Sequence, residues 1–264
     1  MRLSRGASLA LVLLACLLAG CAGKRPSTVP LRTISQPLAC GTADTLLVML
    51  PGSYSLPEEF IREGFVRTVR DQQIAADVLL VDAHLGYYND RSIIDRLQAD
   101  VIRPARARGY REVWLVGISI GAVGAMLYAD EHPGGADGVV LLAPFLGSRL
   151  TALDIENAGG LARWPAPERL VNEEIDMRLW RWIKGQTDGT SATPKLPIFQ
   201  GYGVDDRFVY NNRLMSRSLP ATRVFTVEGG HDWLAWNALW KRMVQALPLA
   251  REARSGGGCT SAAR

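Results

Sequence analysis

The stretch Glu112–Gly121 reads EVWLVGISIG and runs into an alanine-rich segment, Ala122–Ala129. Its first half is a short apolar run that predicts a buried strand, and the alanine-rich segment predicts a helix. Gly117 and Gly121 flank Ser119 between them, and glycine lets a chain turn without a side-chain clash. The stretch therefore predicts a strand, a tight turn and a helix. Ser119 would lie at the helix N-terminus, where the helix dipole and free N–H groups favour negative charge.

Short apolar runs of this kind recur along the chain and alternate with segments of helical period. Runs of four to six apolar or β-branched residues indicate strands buried on both faces, as in a parallel sheet. A helix is expected from near Asn89–Asp90 to Ala105, with Pro104 kinking or ending it. Strands alternating with helices predict an α/β fold with a mostly parallel, doubly wound sheet. The other predicted strands are Thr45–Leu50, Ala76–Val81, Gly138–Leu142, Leu196–Gln200 and Arg223–Val227.

One segment breaks this alternation. Between Phe145 and Pro194 there is no strand-like run, and the segment contains Trp164, Trp180 and Trp182. About fifty residues are too many for a simple connection. We expect a helical cap insertion, at about residues 146–194, that covers the strand ends. The alternative is two extra packing helices without a lid role.

In this setting the G-x-S-x-G pattern of Gly117–Gly121 resembles the nucleophile elbow of the α/β-hydrolase family. The resemblance covers roughly residues 45–248 and implies that Ser119 is a catalytic nucleophile. Members of this family carry their catalytic triad in the order serine, acid, histidine. The partners of Ser119 are therefore expected downstream, at the carboxyl ends of later strands.

The resemblance implies His231 as the catalytic base and a nearby aspartate as the triad acid. His231 follows the last predicted strand in Glu228-Gly-Gly-His231, where the family places its base. The family's acid follows a glycine by three residues, and Gly203 and Asp206 fit that spacing, with Asp205 as the alternative. A carboxylate here fixes the imidazole tautomer and stabilises the imidazolium. His132 is expected to face solvent at the far end of the helix after Ser119.

The same resemblance implies an oxyanion hole and a substrate pocket. The oxyanion hole needs two backbone N–H donors, for which Ile120 and Ser53 are the candidates. The loop after the first predicted strand contains Pro51-Gly52 where relatives commonly have His-Gly, and this change leaves a backbone donor unaffected. Candidate pocket residues are the aromatic and imidazole side chains of Tyr54, His84, Tyr87, Tyr88 and Trp233.

The N-terminus is predicted to be a targeting segment. Residues 1–20 combine a short basic start with a small, apolar run that is too short to span a bilayer comfortably, which indicates a signal peptide. Leu18-Ala19-Gly20-Cys21 resembles a bacterial lipobox, in which the cysteine is lipidated. Ala22 is not the aspartate that retains such lipoproteins in the inner membrane, so the resemblance implies the periplasmic side of the outer membrane. Residues 21–39 are expected to form a tether to a hydrolase domain over residues 40–264.

Cys40 and Cys259 are expected to form a disulfide. The compartment outside the inner membrane is oxidising, and the bond would hold the glycine-rich C-terminal tail beside the start of the domain. Neither cysteine belongs to a C-x-x-C pair or neighbours a histidine, so we expect no metal or redox site there.

Composition and charge restrict the function further. The chain has 264 residues, of which 48% are hydrophobic and 21% charged, which excludes collagen-like, disordered and coiled-coil classes. The net charge is +4, and +2 without Arg2 and Arg5 of the signal peptide, which is too little for a nucleic-acid partner.

We therefore expect a membrane-anchored serine hydrolase that needs no cofactor, most simply a carboxylesterase of small-molecule or lipid esters. A thioesterase, acyltransferase or peptidase would use the same residues. A non-catalytic envelope lipoprotein on a hydrolase fold is the alternative from another class. Neither the natural substrate nor the oligomeric state leaves a signal in the sequence.

Overall fold

The computed structural model describes residues 25–170, 175–188 and 195–251. Within them a seven-stranded sheet has the order β1-β3-β2-β4-β5-β6-β7. Strands β2 to β7 are parallel, and β1 pairs antiparallel with β3 at one edge. The predicted α/β class with a mostly parallel sheet is confirmed. The strands are β1 Thr33–Gln36, β2 Thr45–Leu50, β3 Ala76–Val81, β4 Glu112–Ile118, β5 Gly138–Leu142, β6 Ile198–Gly203 and β7 Val224–Val227.

Helices cover both faces of this sheet. One apolar core joins alternate strand residues such as Leu47 and Met49 to the helices α1 and α2, which follow β2, and to the C-terminal helix α10. The other core joins Leu46 and Val48 to the remaining helices. The helices are α1 Glu59–Arg62, α2 Phe65–Asp71, α3 Leu85–Asn89, α4 Ile93–Arg96, α5 Arg103–Ala107, α6 Ile120–Glu131, α7 Arg149–Asn157, α8 Ile175–Asp188, α9 Val209–Ser216 and α10 Trp233–Ala246.

The helical segment before β4 does not end at Pro104. A π-helical stretch, Leu97–Ile102, joins α4 to α5, and Pro104 lies in the first turn of α5. Pro104 has no N–H to donate, and the turn before it departs from α-helical hydrogen bonding, so the segment continues through the proline to Ala107. The start also differs, because α3 ends at Asn89 and α4 begins only at Ile93.

Part of the predicted tether is packed against the domain. Thr33–Gln36 forms β1, in which Thr33 lies opposite Val81 and Gln36 opposite Val78. Leu31 is buried, and the Arg25 guanidinium forms an ion pair with Asp82. The tether prediction is therefore wrong for these residues. The physical reason is that β3 would otherwise present an unpaired edge, and a short extended segment satisfies its N–H and C=O groups.

The two helices between β5 and β6 pack beside the sheet. Trp164, Trp180 and Trp182 are all buried in the core that contains α6. The Trp180 indole donates a hydrogen bond to the Leu146 carbonyl at 3.1 Å. This packing is what the alternative of two extra helices describes, and a lid role for the segment stays a prediction.

The targeting and disulfide predictions fall largely outside the described residues. The predicted signal peptide and Cys21 precede residue 25, and Cys259 follows residue 251. Cys40 lies exposed in the loop before β2, and its pairing with Cys259 stays a prediction. No helix in the described ranges is long and apolar enough to cross a membrane.

Candidate active site

Ser119 occupies a strained turn between β4 and α6. Its φ is +54° and its ψ −112°, a conformation that a residue with a side chain rarely adopts. The turn is held on both sides, because the Ser119 N–H donates to the Leu142 carbonyl at 2.9 Å and the Ser119 carbonyl accepts from the Phe145 N–H at 3.3 Å. The strain is thus supported by β5 and by the residues that follow it.

The two glycines around Ser119 are required by close approaches of backbone to backbone. A Cβ on Gly117 would lie 2.4 Å from the Gly121 carbonyl oxygen, at the start of α6. A Cβ on Gly121 would lie 2.2 Å from the carbonyl oxygen of Leu50, at the end of β2. Any side chain at either position would push the turn away from the sheet. The two glycines of the G-x-S-x-G pattern are therefore a steric requirement of this turn.

His231 connects Ser119 to a buried carboxylate. The imidazole Nε2 lies 3.0 Å from the Ser119 Oγ, and Nδ1 lies 2.7 Å from the Asp206 Oδ2. The three side chains come from loops after β4, β6 and β7, at the carboxyl edge of the parallel strands. The His231 side chain is 9% exposed and that of Asp206 is fully buried. The structure thus brings together the three residues that the sequence analysis selected.

The choice between the two aspartates follows from their positions. The second carboxylate oxygen of Asp206 accepts the Phe208 N–H at 2.7 Å, which fixes the carboxylate toward His231. Asp205 is exposed, and among the described residues its carboxylate accepts a hydrogen bond only from the Gly229 N–H, at 3.4 Å. A Cβ on Gly203 would lie 2.2 Å from the Gly229 carbonyl oxygen, so glycine there lets the acid loop and the histidine loop meet.

Two aromatic rings hold the imidazole from its sides. The Phe208 ring centroid lies 4.9 Å from that of His231, and the Trp236 centroid lies 5.2 Å away, both at 90°. Edge-to-face contacts of this kind restrict how the imidazole can rotate. Sequence reasoning missed both residues. Trp236 follows His231 within the first turn of α10, and Phe208 lies two residues after Asp206. This closeness in sequence to the triad residues is the signal from which both could have been predicted.

Two backbone N–H groups are placed as candidate oxyanion donors. Ile120 is the first residue of α6, and Ser53 lies in a turn closed by the Ser55 N–H on the Gly52 carbonyl at 3.1 Å. A Cβ on Gly52 would lie 3.8 Å from the Ser119 Cβ, so this turn adjoins the serine. In the described parts of the chain neither the Ser53 nor the Ile120 N–H donates a hydrogen bond. Both donors remain available for an oxygen bound beside Ser119.

The structure places three of the predicted pocket residues in packed surroundings instead of on an open surface. Tyr87 is 1% exposed, and its hydroxyl donates to the Thr28 carbonyl at 3.2 Å. The hydroxyl of Tyr88 lies against Gly124 in α6, and burial raises its pKa. His84 caps α3, since its Nδ1 accepts the Gly86 N–H at 3.1 Å. Burial, and then the nearby Arg25, lower the pKa of His84.

The other two predicted pocket residues neighbour parts of the candidate site. Tyr54 follows Ser53 directly and is 92% exposed. Trp233 packs between Phe60 and Phe65, and its ring centroid lies 5.2 Å from that of Trp236. Trp233 is therefore a support for the ring that contacts His231.

His132 differs from its prediction. It lies at the opposite end of α6 from Ser119, as expected, but it is half-buried and not solvent-facing. The cause is its ring contact with Tyr128, at 5.0 Å between centroids.

Comparisons with known proteins find similarity in structure and not in sequence. No protein-family model matches the chain, and no curated protein sequence matches it. S-formylglutathione hydrolase from Staphylococcus aureus aligns at 15% identity with a TM-score of 0.52, over 83% of this chain and 96% of that one. Monoacylglycerol lipase from Paleococcus ferrophilus aligns at 14% identity and 0.53, over 82% and 99%. Est1E from Butyrivibrio proteoclasticus aligns at 15% and 0.54, over 83% and 94%. At these identities the likeness describes the fold.

Proposed function

We propose that this chain, which has the α/β-hydrolase fold, is a serine hydrolase that cleaves carboxylic esters. The observation that carries the proposal is the hydrogen-bonded series Ser119–His231–Asp206 at a strained turn. The Ser119 Oγ lies 3.0 Å from the His231 Nε2, and the His231 Nδ1 lies 2.7 Å from the Asp206 Oδ2. Nucleophile, base and base-orienting carboxylate in this order are what acyl transfer through an activated hydroxyl requires.

The first half of the reaction acylates the serine. The Ser119 Oγ attacks the ester carbonyl carbon while the His231 Nε2 takes the hydroxyl proton. Asp206, hydrogen-bonded to Nδ1, holds the neutral tautomer that can accept this proton and stabilises the imidazolium that forms. The tetrahedral intermediate then expels the alcohol, which leaves with the proton from His231, and an acyl group remains on Ser119.

The second half hydrolyses the acyl-enzyme. His231 takes a proton from a water molecule, whose oxygen attacks the acyl carbonyl, and returns that proton to the Ser119 Oγ as the acid departs. In both halves the negative carbonyl oxygen is bound by the Ile120 and Ser53 N–H groups. Donors that are already in position at the developing charge are worth about 3 kcal/mol each in comparable sites. No step needs a metal or an organic cofactor.

We propose esters, rather than other acyl compounds, as the substrates because of the names of similar structures. Those names include a monoacylglycerol lipase and a ferulic acid esterase, at TM-scores of 0.53 and 0.52. Thioesters and amides would pass through the same intermediate, and an acyltransferase would replace water by another acceptor. Faster release of the leaving group on addition of an alcohol or amine would identify a transferase.

Hydrolysis of a p-nitrophenyl ester series, from acetate upward, by the full chain in detergent tests this proposal. We expect turnover of at least one ester. The dependence of kcat/KM on acyl chain length then reports the size of the acyl site. Ser119→Ala should lower kcat by about 10⁵-fold or more, since the nucleophile is lost while folding is kept. Equal melting temperatures of the two proteins provide the control. Turnover that persists in Ser119→Ala would contradict the proposal.

We also propose that Cys21 carries a lipid that anchors the protein in the bacterial cell envelope. The support is the lipobox-like Leu18-Ala19-Gly20-Cys21 after a basic start. In cells fed an alkyne fatty acid, the wild-type protein should incorporate the label and sediment with membranes. Cys21→Ser should do neither, while Cys40→Ser should still incorporate the label. Equal labelling of wild type and Cys21→Ser would refute the anchor.

A further inference from the structure

A groove lined by arginines opens beside the candidate active site. Its volume is about 410 Å³, and its lining contains three arginines and no carboxylate. We define the arginine groove by Arg149, Arg207 and Arg213 with the rings of Phe208 and Tyr210. These residues lie in the segments after β5 and β6, at the same edge of the sheet as Ser119.

The arginine groove and the catalytic histidine share a wall. Phe208 lines the groove and also contacts His231, with ring centroids 4.9 Å apart. The Arg207 guanidinium lies 4.8 Å from the Phe208 centroid. Taken together, these two distances place the Arg207 charge within about 10 Å of the His231 imidazole. The arginine groove therefore adjoins the catalytic histidine.

The three arginines have no carboxylate partner in the described ranges, whereas some exposed arginines elsewhere, such as Arg32 and Arg62, do. Arg217, for example, pairs with Glu156 at 2.9 Å. Arg149 instead stacks on the Tyr210 ring, 4.5 Å from its centroid. A guanidinium that lies over an aromatic ring keeps its N–H donors, which point outward in the guanidinium plane, free for an anion. All three arginine side chains are exposed, so a ligand can reach them.

Two carboxylates beside the arginine groove are engaged with other groups. Asp176 lies against Gly147 and accepts hydrogen bonds from the Ser148 N–H and the Thr151 hydroxyl, each at 3.1 Å. Glu156 accepts from the Tyr210 hydroxyl and pairs with Arg217. Neither carboxylate forms an ion pair with an arginine of the groove.

We propose that the arginine groove binds an anionic group of the substrate, so that the protein prefers esters bearing a carboxylate or phosphate. This inference rests on the proposed hydrolase function and adds the class of its substrate. Arginine is suited to both groups, because its fork of donors matches two oxygens at once. The negative group would lie in the groove, away from the scissile bond, and so orient the ester on Ser119.

Matched ester pairs test this proposal on both sides of the scissile bond. On the acyl side, mono-p-nitrophenyl esters of dicarboxylic acids are compared with fatty acyl esters of the same chain length. On the alcohol side, an acylglycerol phosphate is compared with the corresponding monoacylglycerol. We expect kcat/KM to be about tenfold higher for the anionic member of at least one pair. Equal values within both pairs, or a preference for the neutral members, would overturn the proposal.

Charge-removing variants assign the preference to the groove. Arg149→Gln with Arg213→Gln should remove the advantage of the anionic ester and leave kcat/KM for its neutral partner within about twofold. The matched control is Arg103→Gln with Arg108→Gln, which removes the same charge from the exposed surface around α5. The control should keep the preference. Equal losses on both members of a pair in the groove variant would overturn the proposal.

Binding to Ser119→Ala separates failure of the groove from failure of the hydrolase. The anionic ester titrated calorimetrically into this variant should bind about tenfold more tightly than its neutral partner. If no ester is turned over but this difference is present, the hydrolase proposal fails and the groove stands. If esters are turned over but the difference is absent, only the groove proposal fails.

Discussion

Replacing His231 with alanine is expected to lower kcat for ester hydrolysis by about 10⁶-fold, the largest effect of any single change outside Ser119. The Ser119 Oγ would lose the base 3.0 Å away, and no other imidazole lies in a position to accept its proton. His84 is engaged at the start of α3, and His132 lies at the opposite end of α6 from Ser119. Steady-state kinetics on the ester that the wild type hydrolyses best would measure the loss.

His132→Ala is the matched control for that experiment. It removes the same side chain from the same domain but breaks only a packing contact with Tyr128. We expect kcat within about threefold of wild type for the folded protein, with any loss confined to the melting temperature. A fall in kcat for His132→Ala as large as for His231→Ala would show that the losses come from unfolding and not from chemistry.

Asp206→Asn should lower kcat by about 10⁴-fold. The buried carboxylate contacts the His231 Nδ1 at 2.7 Å and fixes its tautomer. An amide can present its NH₂ group to Nδ1 instead, which favours the tautomer that cannot accept the serine proton. Urea denaturation of the variant, analysed beside the kinetics, would show how much of the loss reflects stability.

Asp205→Asn provides a control one residue away. Asp205 is exposed and, within the described ranges, bonds only to the Gly229 N–H, so we expect the kcat of the variant to stay within about threefold of wild type. The larger loss in Asp205→Asn would reverse the assignment of the acid. Similar losses in both would mean that the loop geometry, and not one carboxylate, supports His231.

Much of the fold and the central three residues could be predicted from the sequence, because their signals are local. β2 and β5 are continuous runs of apolar and β-branched residues and are buried along their whole length. The glycines around Ser119 and before Asp206 mark close backbone approaches that tolerate no Cβ. Each such approach is therefore visible in the sequence as a short local motif that contains glycine.

What the sequence did not reveal depends on residues that are distant along the chain. The β1 strand forms because β3 has an open edge, which no pattern within residues 33–36 reports. Tyr87 follows a strand, as a pocket residue would, but Thr28 covers it from the N-terminal segment. The arginine groove needs the loops after β5 and β6 to meet, so its arginines read as scattered surface charge along the chain.

The central claim, that Ser119 is acylated through His231, is tested most directly by locating a covalent adduct. The full chain is treated with a fluorophosphonate, and its tryptic peptides are analysed by mass spectrometry. We predict one adduct, on Ser119 in the peptide Glu112–Arg149, absent from Ser119→Ala and formed far more slowly in His231→Ala. An adduct on another residue, or none in a preparation that hydrolyses esters, would contradict the account.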